Sequence, residues 1–294
     1  MLSTLIGLTT TLLLLLNTLV LIGPLLLLAL LKLVMPTRGS RALLSRSVMW
    51  VAETWAEGCK AIFALMTPTR WEISGAETLR RDSSYLIVSN HQSWVDIPAL
   101  IQAFNRKTPY FKFFLKKELI WVPFLGLAFW ALDYPFMKRY SKEFLARRPD
   151  LKGQDLAITR AACEKFRDLP VTIVNYLEGT RFTPAKQAAQ QSPYRHLLRP
   201  KSGGIAFVLA ALGEQIDALL DVTVVYDDEP APGFWALLSG QVARVRVDIL
   251  IRDLDPALWQ GDYENDPVFR QYMHDWVAHL WRDKDARIHA LLEK

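Results

Sequence analysis

The sequence predicts an α/β fold, a central mixed sheet flanked by helices, with a hydrophobic membrane-anchoring helix ahead of it. Three observations carry that reading. Residues 1–31 contain no Asp, Glu, Lys, Arg or His, and 16 of those 31 residues are Leu. All 35 basic and 30 acidic side chains of the 294-residue chain therefore fall in an otherwise ordinary globular remainder. Past Trp71, short apolar runs of strand length alternate with segments of helical spacing, as in a sheet whose functional loops gather at strand ends. This patterning excludes a fully soluble protein, a polytopic transporter and a disordered chain.

Three regions follow in order: an anchor over residues 1–35, an interfacial or linker helix region over 36–70, and a globular domain over 71–294. A hydrocarbon core of about 30 Å takes about 20 helical residues. The uncharged run is longer and is interrupted by Gly23-Pro24. A span over residues 5–22 with a second apolar piece over 25–35 fits, as does one kinked, tilted helix or a re-entrant hairpin. A signal peptide fits less well, because no cation opens the run and no small-residue cleavage site closes it. Lys32, Arg38, Arg41 and Arg46 precede the first acid, Glu53, which by the positive-inside rule places the rest of the chain in the cytoplasm. Cys59 and Cys163 sit in no CxxC or Cys/His cluster, and a reducing compartment is the simpler reading.

Residues 45–66 mix Trp50, Trp55, Ile62 and Phe63 with charges, a surface helix on lipid or on the domain. The run Tyr85-Leu-Ile-Val88 is a buried strand, and Asp96 opens a helix with Pro98 in its first turn. The apolar stretch 119–132 contains Pro123 and Gly126, is too short to span, and serves as core or as an interfacial segment through Trp121 and Trp130. A helix is expected over 154–168, a strand over 171–174, a polar loop over 187–192 and a helix over 205–212. Strands follow over 219–226 and 245–251, the latter half-buried with a period of two. Phe269, Met273, Trp276 and Leu280 mark one face of a long C-terminal helix.

No GxSxG, Walker A, HExxH or GxGxxG motif occurs, which disfavours a serine hydrolase, an NTPase and a zinc enzyme. His196, His274, His279 and His289 read as structural or surface residues. His91 differs, because it follows directly from a strand in Ser-Asn-His-Gln-Ser-Trp-Val-Asp, with Asp96 at the next helix start. A strand–loop–helix turn can fold Asp96 back onto the imidazole, fix its tautomer and free the other nitrogen as a base for a substrate hydroxyl. Alternatively Asp96 is an N-cap and His91 an ordinary loop residue.

The ordered set of His91-x4-Asp96, Phe114-Leu-Lys-Lys-Glu-Leu119, Pro123 and Gly126, Lys138-Arg139, Glu178-Gly-Thr-Arg181 and Lys201-Ser-Gly-Gly204 resembles the lysophosphatidic acid acyltransferase (PlsC-like) family. Trp121-Val-Pro-Phe-Leu-Gly126, Pro135-Phe-Met-Lys-Arg-Tyr140 and Ser192-Pro-Tyr are similar to its bacterial YihG-type branch. The resemblance covers residues 71–294 and implies a glycerolipid acyltransferase-like domain on the cytoplasmic face of a bacterial inner membrane. It implies acyl transfer from an acyl-CoA or acyl carrier protein thioester to the sn-2 hydroxyl of a lysophospholipid, with no further cofactor, no metal and no nucleic acid. His91 would be the general base and Asp96 its orienting partner. Arg181 would bind the acceptor phosphate, held in place by Glu178, with Thr180 as a hydroxyl donor and Gly179 allowing close backbone approach. Lys116 and Lys117 would add positive charge for phosphate, or would face solvent or anionic lipid. One position departs from the family: where much of it has Pro in a later strand linked to acyl-donor binding, this chain has Asp221-Val222-Thr223.

Overall fold

The computed structural model describes residues 1–122, 125–137, 159–161, 163 and 169–293. Among the described residues, six strands form one sheet: β1 (Arg70–Ser74), β2 (Tyr85–Ser89), β3 (Phe111–Phe113), β6 (Thr172–Tyr176), β7 (Ala218–Tyr226) and β8 (Arg244–Arg252). Two short strands, β4 (Leu115–Lys116) and β5 (Phe136–Met137), pair separately. The spatial order in the large sheet is β1-β8-β7-β2-β6-β3, every pairing parallel except β7 with β8. The sheet is mixed, as the expected fold class has it. β2 is the central strand of the parallel set and is buried along its whole length, which explains its unbroken apolar run.

Successive side chains on a strand point to opposite faces, and the core divides accordingly. Ile87, Val174, Val222 and Val224 pack with helices α1 (Leu2–Val34), α2 (Arg38–Met66) and α3 (Asp96–Phe104). Leu86, Val88, Ile173 and Leu219 pack with α6 (Ser202–Leu212) and the C-terminal α9 (Pro267–Leu292). Between these lie α4 (Leu125–Ala131), α5 (Pro184–Ala189), α7 (Phe234–Leu238) and α8 (Ala257–Gln260).

Pro24 falls inside α1, which runs as one 33-residue helix. It is long and apolar enough to cross a membrane, and only 11% of its most apolar window is buried. α2 starts at a Thr37 cap that accepts the Ser40 N–H. It packs back on α1: the Asn17 amide donates to the Trp55 carbonyl at 2.9 Å, and Trp55 Nε1 donates to Thr18 Oγ1 at 3.0 Å. The two helices pass so closely that a Cβ on Gly58 would lie 2.4 Å from Asn17 Oδ1. α2 therefore packs on the rest of the protein through Val48, Val51, Ala52 and Phe63.

The second apolar stretch takes both of its open roles: Trp121 is 83% exposed, and Leu125 and Leu127 on α4 are about half exposed, whereas Ala131 and Leu132 are buried in the core. One expectation changes. Residues 187–189 belong to α5 instead of a loop, because the Thr183 hydroxyl caps the Lys186 N–H and Pro184 takes the first helical turn. The helix expected over 154–168 lies outside the described residues except at 159–161 and 163, as do Pro123 and Lys138-Arg139.

Candidate active site

β2, β6 and β7 run parallel, so the segments leaving their C-terminal ends converge at one edge of the sheet. From β2 comes the turn Asn90-His91-Gln92-Ser93-Trp94. The Asn90 side chain fixes that turn to β7, donating to the Val224 carbonyl at 2.8 Å and accepting the Val224 N–H at 2.9 Å. At the start of α3, Asp96 folds back onto the turn. Its Oδ2 lies 2.7 Å from His91 Nδ1 and accepts the N–H groups of Gln92 at 2.8 Å and Ser93 at 3.0 Å. Its Oδ1 accepts the Tyr226 hydroxyl at 2.5 Å. Asp96 is fully buried, whereas the His91 side chain keeps 18% of its surface. When Nδ1–H donates to the carboxylate, the Nε2 lone pair is left for a ligand. The imidazole also stacks on the Tyr176 ring, with centroids 4.1 Å apart and planes 16° from parallel. Both readings of Asp96 hold together: it organises the local turn and it orients His91.

Glu178 closes the site from β6. Its Oε1 accepts the backbone N–H of His91 at 2.9 Å and its Oε2 that of Leu198 at 3.0 Å. Burial pushes its carboxyl up to about 7, against the pull of those two donors. Both oxygens are thus spent on backbone, so Glu178 positions the His91 turn. The expected grip of Glu178 on Arg181 is replaced by a different one. The Arg181 guanidinium sits 4.4 Å above the Trp94 ring, which ties it to the same turn as His91.

Gly179 has φ +67°, a backbone state open to glycine, and a Cβ there would meet Lys201 Nζ at 3.3 Å. Thr180 Oγ1 accepts from Lys186 Nζ at 2.8 Å, and the same ammonium donates to the Arg181 carbonyl at 2.8 Å. The structure therefore brings His91, Asp96, Glu178, Gly179, Thr180 and Arg181 together, and adds Trp94, Tyr176, Lys186, Lys201 and Tyr226. Lys116 ends β4, and Lys117 opens the exposed 3₁₀ turn that follows. Asp221 points to the other face of the sheet, toward α9. It is fully buried and forms ion pairs with buried Lys284 at 2.5 Å, Arg252 at 3.0 Å and Arg287 at 3.4 Å.

A protein-family model described as Acyltransferase matches residues 70–227, more than half of the chain, from β1 to the residue after Tyr226. The chain belongs to the acyltransferase family. Among curated relatives, 1-acyl-sn-glycerol-3-phosphate acyltransferase 3 of Arabidopsis thaliana is 26% identical over 270 residues, covering 86% of this chain and 63% of that protein. The human 1-acyl-sn-glycerol-3-phosphate acyltransferase gamma is 25% identical over 185 residues, 60% of this chain and 44% of its own length. The chain thus spans under two thirds of the length of these relatives. The crystal structure of the 1-acyl-sn-glycerophosphate acyltransferase PlsC from Thermotoga maritima shares the fold, with a TM-score of 0.54 at 20% identity, over 95% of this chain and 97% of that one.

Proposed function

We propose that this protein is a membrane-bound O-acyltransferase of the bacterial YihG-type branch. It moves a fatty acyl group from acyl-CoA or acyl carrier protein to the sn-2 hydroxyl of a lysophospholipid, with lysophosphatidic acid as the first acceptor. The observation that carries the reading is the 2.7 Å contact of His91 with buried Asp96, beside an Arg181 seated on the same turn. In this mechanism His91 Nε2 takes the acceptor hydroxyl proton as the oxygen attacks the thioester carbonyl carbon. The C–S bond then breaks, and the departing sulfur receives that proton. Asp96 stabilises the imidazolium formed in between. Arg181 fits the acceptor phosphate, since a guanidinium offers a fixed pair of donors. The names of the relatives support a 1-acyl-sn-glycerol-3-phosphate acceptor, which is lysophosphatidic acid.

The same proposal divides the chain into an anchor (1–35), an interfacial segment (36–70) and a catalytic domain (71–294). α1 carries a row of exposed leucines, and Trp121, Trp130 and Trp235 are partly or largely exposed. Such surfaces suit a bilayer. A net charge of +5 suits anionic substrates at its cytoplasmic face.

The test is acyl transfer by purified protein in mixed micelles. Lysophosphatidic acid and lysophosphatidylglycerol serve as acceptors, each with both donor types. His91→Ala should abolish transfer. Loss of a charge-assisted contact costs about 1.5–3 kcal/mol, so Arg181→Ala should lose roughly 10- to 150-fold in kcat/KM for the acceptor, with Arg181→Lys recovering only part. Thiol release that ignores the acceptor would identify a hydrolase and overturn the proposal.

A further inference from the structure

The conspicuous feature around the dyad is the way one strand holds both of its members. β7 grips the His91 turn through Val224, bonded twice to Asn90, and grips Asp96 through Tyr226, two residues on and on the same face. Three donors converge on Asp96 Oδ2, while the Tyr226 hydroxyl is the donor placed on Oδ1. Tyr226 is 2% exposed, and its backbone is fixed opposite Val245 in the antiparallel β7–β8 ladder. Burial first, and then the neighbouring carboxylate, hold its phenol well above its ordinary titration range. Over the working pH range it is therefore a permanent donor.

We infer that Tyr226 is a positioning residue that sets the strength of the base, its hydroxyl holding the Asp96 carboxylate in place and drawing off part of its charge. The inference rests on the acyltransferase reading and deepens it. Without the phenol, Asp96 keeps its full charge for the imidazole. His91 then holds its proton to higher pH, and less of it is free as a base near neutrality. The groups facing the dyad are Glu178 beyond β6, Tyr176 on β6, Arg181 over Trp94, and Tyr226 itself. Lys284, on the opposite face of the sheet, acts on Glu178 through charge. Tyr226→Phe leaves the two N–H bonds to Glu178 intact, so the Glu178 contribution is common to both proteins.

The experiment compares wild type, Tyr226→Phe and a protein carrying 3-fluorotyrosine at position 226, a more acidic phenol. Two quantities are read across pH 5.5–9: kcat/KM for lysophosphatidic acid, and the rate at which diethyl pyrocarbonate modifies His91, followed on the His91 peptide. In Tyr226→Phe both profiles should move up by about half to one pH unit. That is roughly a 3- to 10-fold loss on the acid limb, closing to within about twofold at high pH. The fluorinated residue should move both the other way. In an Asp96→Asn background, Tyr226→Phe should add less than about twofold, since its partner is already neutral. A loss equal at every pH, an unmoved His91 modification profile, or a full effect in the Asp96→Asn background each overturns the inference. The His91 modification needs no substrate, so it still decides the role of Tyr226 if the wild type transfers no acyl group. In that case the proposed function alone falls.

Discussion

At the scale of single residues, Glu178 gives the clearest pH consequence. Its carboxyl is raised to about 7 by burial, whereas in the unfolded chain it titrates near the ordinary value of 4.5. The folded state therefore holds a proton that the unfolded state gives up as pH rises past the ordinary value. That share of stability is full below the ordinary value and lost as pH climbs to about 7, an effect on the order of 3 kcal/mol. Glu178→Gln should flatten this slope between pH 5 and 8, measured by urea unfolding in detergent at several pH values. An unchanged slope would show that Glu178 is not the titrating group. The variant should also lose activity, because an amide can accept only one of the two N–H groups and turns its NH₂ toward the other. His91, Asp96 and Arg181 were legible in the sequence because each lies in a short local motif after a strand. Tyr226 and Tyr176 were not, since their partners lie 130 and 85 residues away or are reached only by stacking across neighbouring strands. Lys186 had a weak signal: Thr183-Pro184 marks a helix start that places it beside Thr180.

At the scale of elements, α9 shows where periodicity succeeds and where it misleads. Met273 and Leu280 are buried as their spacing predicts, and the stripe continues through Val277, Trp281 and Ile288. Lys284 occupies the same stripe and is fully buried, although hydropathy would assign it to solvent. Its counterpart is Asp221, the first residue of the Asp221-Val222-Thr223 stretch. Burial pushes the Asp221 carboxyl up, but Lys284, Arg287 and Arg252 outweigh it and leave it below the ordinary range. Burial lowers Lys284 despite the attraction of Asp221. Sequence alone left Asp221 unexplained because its partner lies 63 residues later on a helix across the sheet face. Breaking such a pair leaves a buried charge, worth about 3–5 kcal/mol. Asp221→Val should therefore destabilise the detergent-solubilised protein strongly, and the double variant Asp221→Val with Lys284→Met should recover most of the loss. A double variant no better than the single one would reduce the pair to incidental proximity.

At the scale of the whole molecule, the decisive relation is between α1 and the sheet-bearing remainder of the chain. A 33-residue helix is about 50 Å long, enough to cross a bilayer, and composition alone left a span, a kinked helix and a re-entrant hairpin equally open. Packing separates them. Near the N-terminal end, α1 presses Gly7 against α7, where a Cβ would lie 2.8 Å from the Trp235 ring. At its middle it is bonded to α2 through Asn17 and Thr18. Near its C-terminal end Lys32 pairs with Asp133 at 2.5 Å. A helix fastened to one domain along its length cannot carry one end across the membrane while the domain stays on the other side. Its exposed leucines suit lipid alongside, and in the proposed membrane-bound state α1 then lies in one leaflet. The expected outcome concerns sidedness. A single cysteine at Ser3, in a Cys59→Ala, Cys163→Ala background, and one at partly exposed Glu264 should react with a membrane-impermeant maleimide from the same side. Both should be labelled in inside-out vesicles and neither in intact spheroplasts. Labelling of position 3 from outside the spheroplast, with position 264 protected, would mean that α1 crosses the bilayer and that its packing against α7 and Asp133 does not persist there.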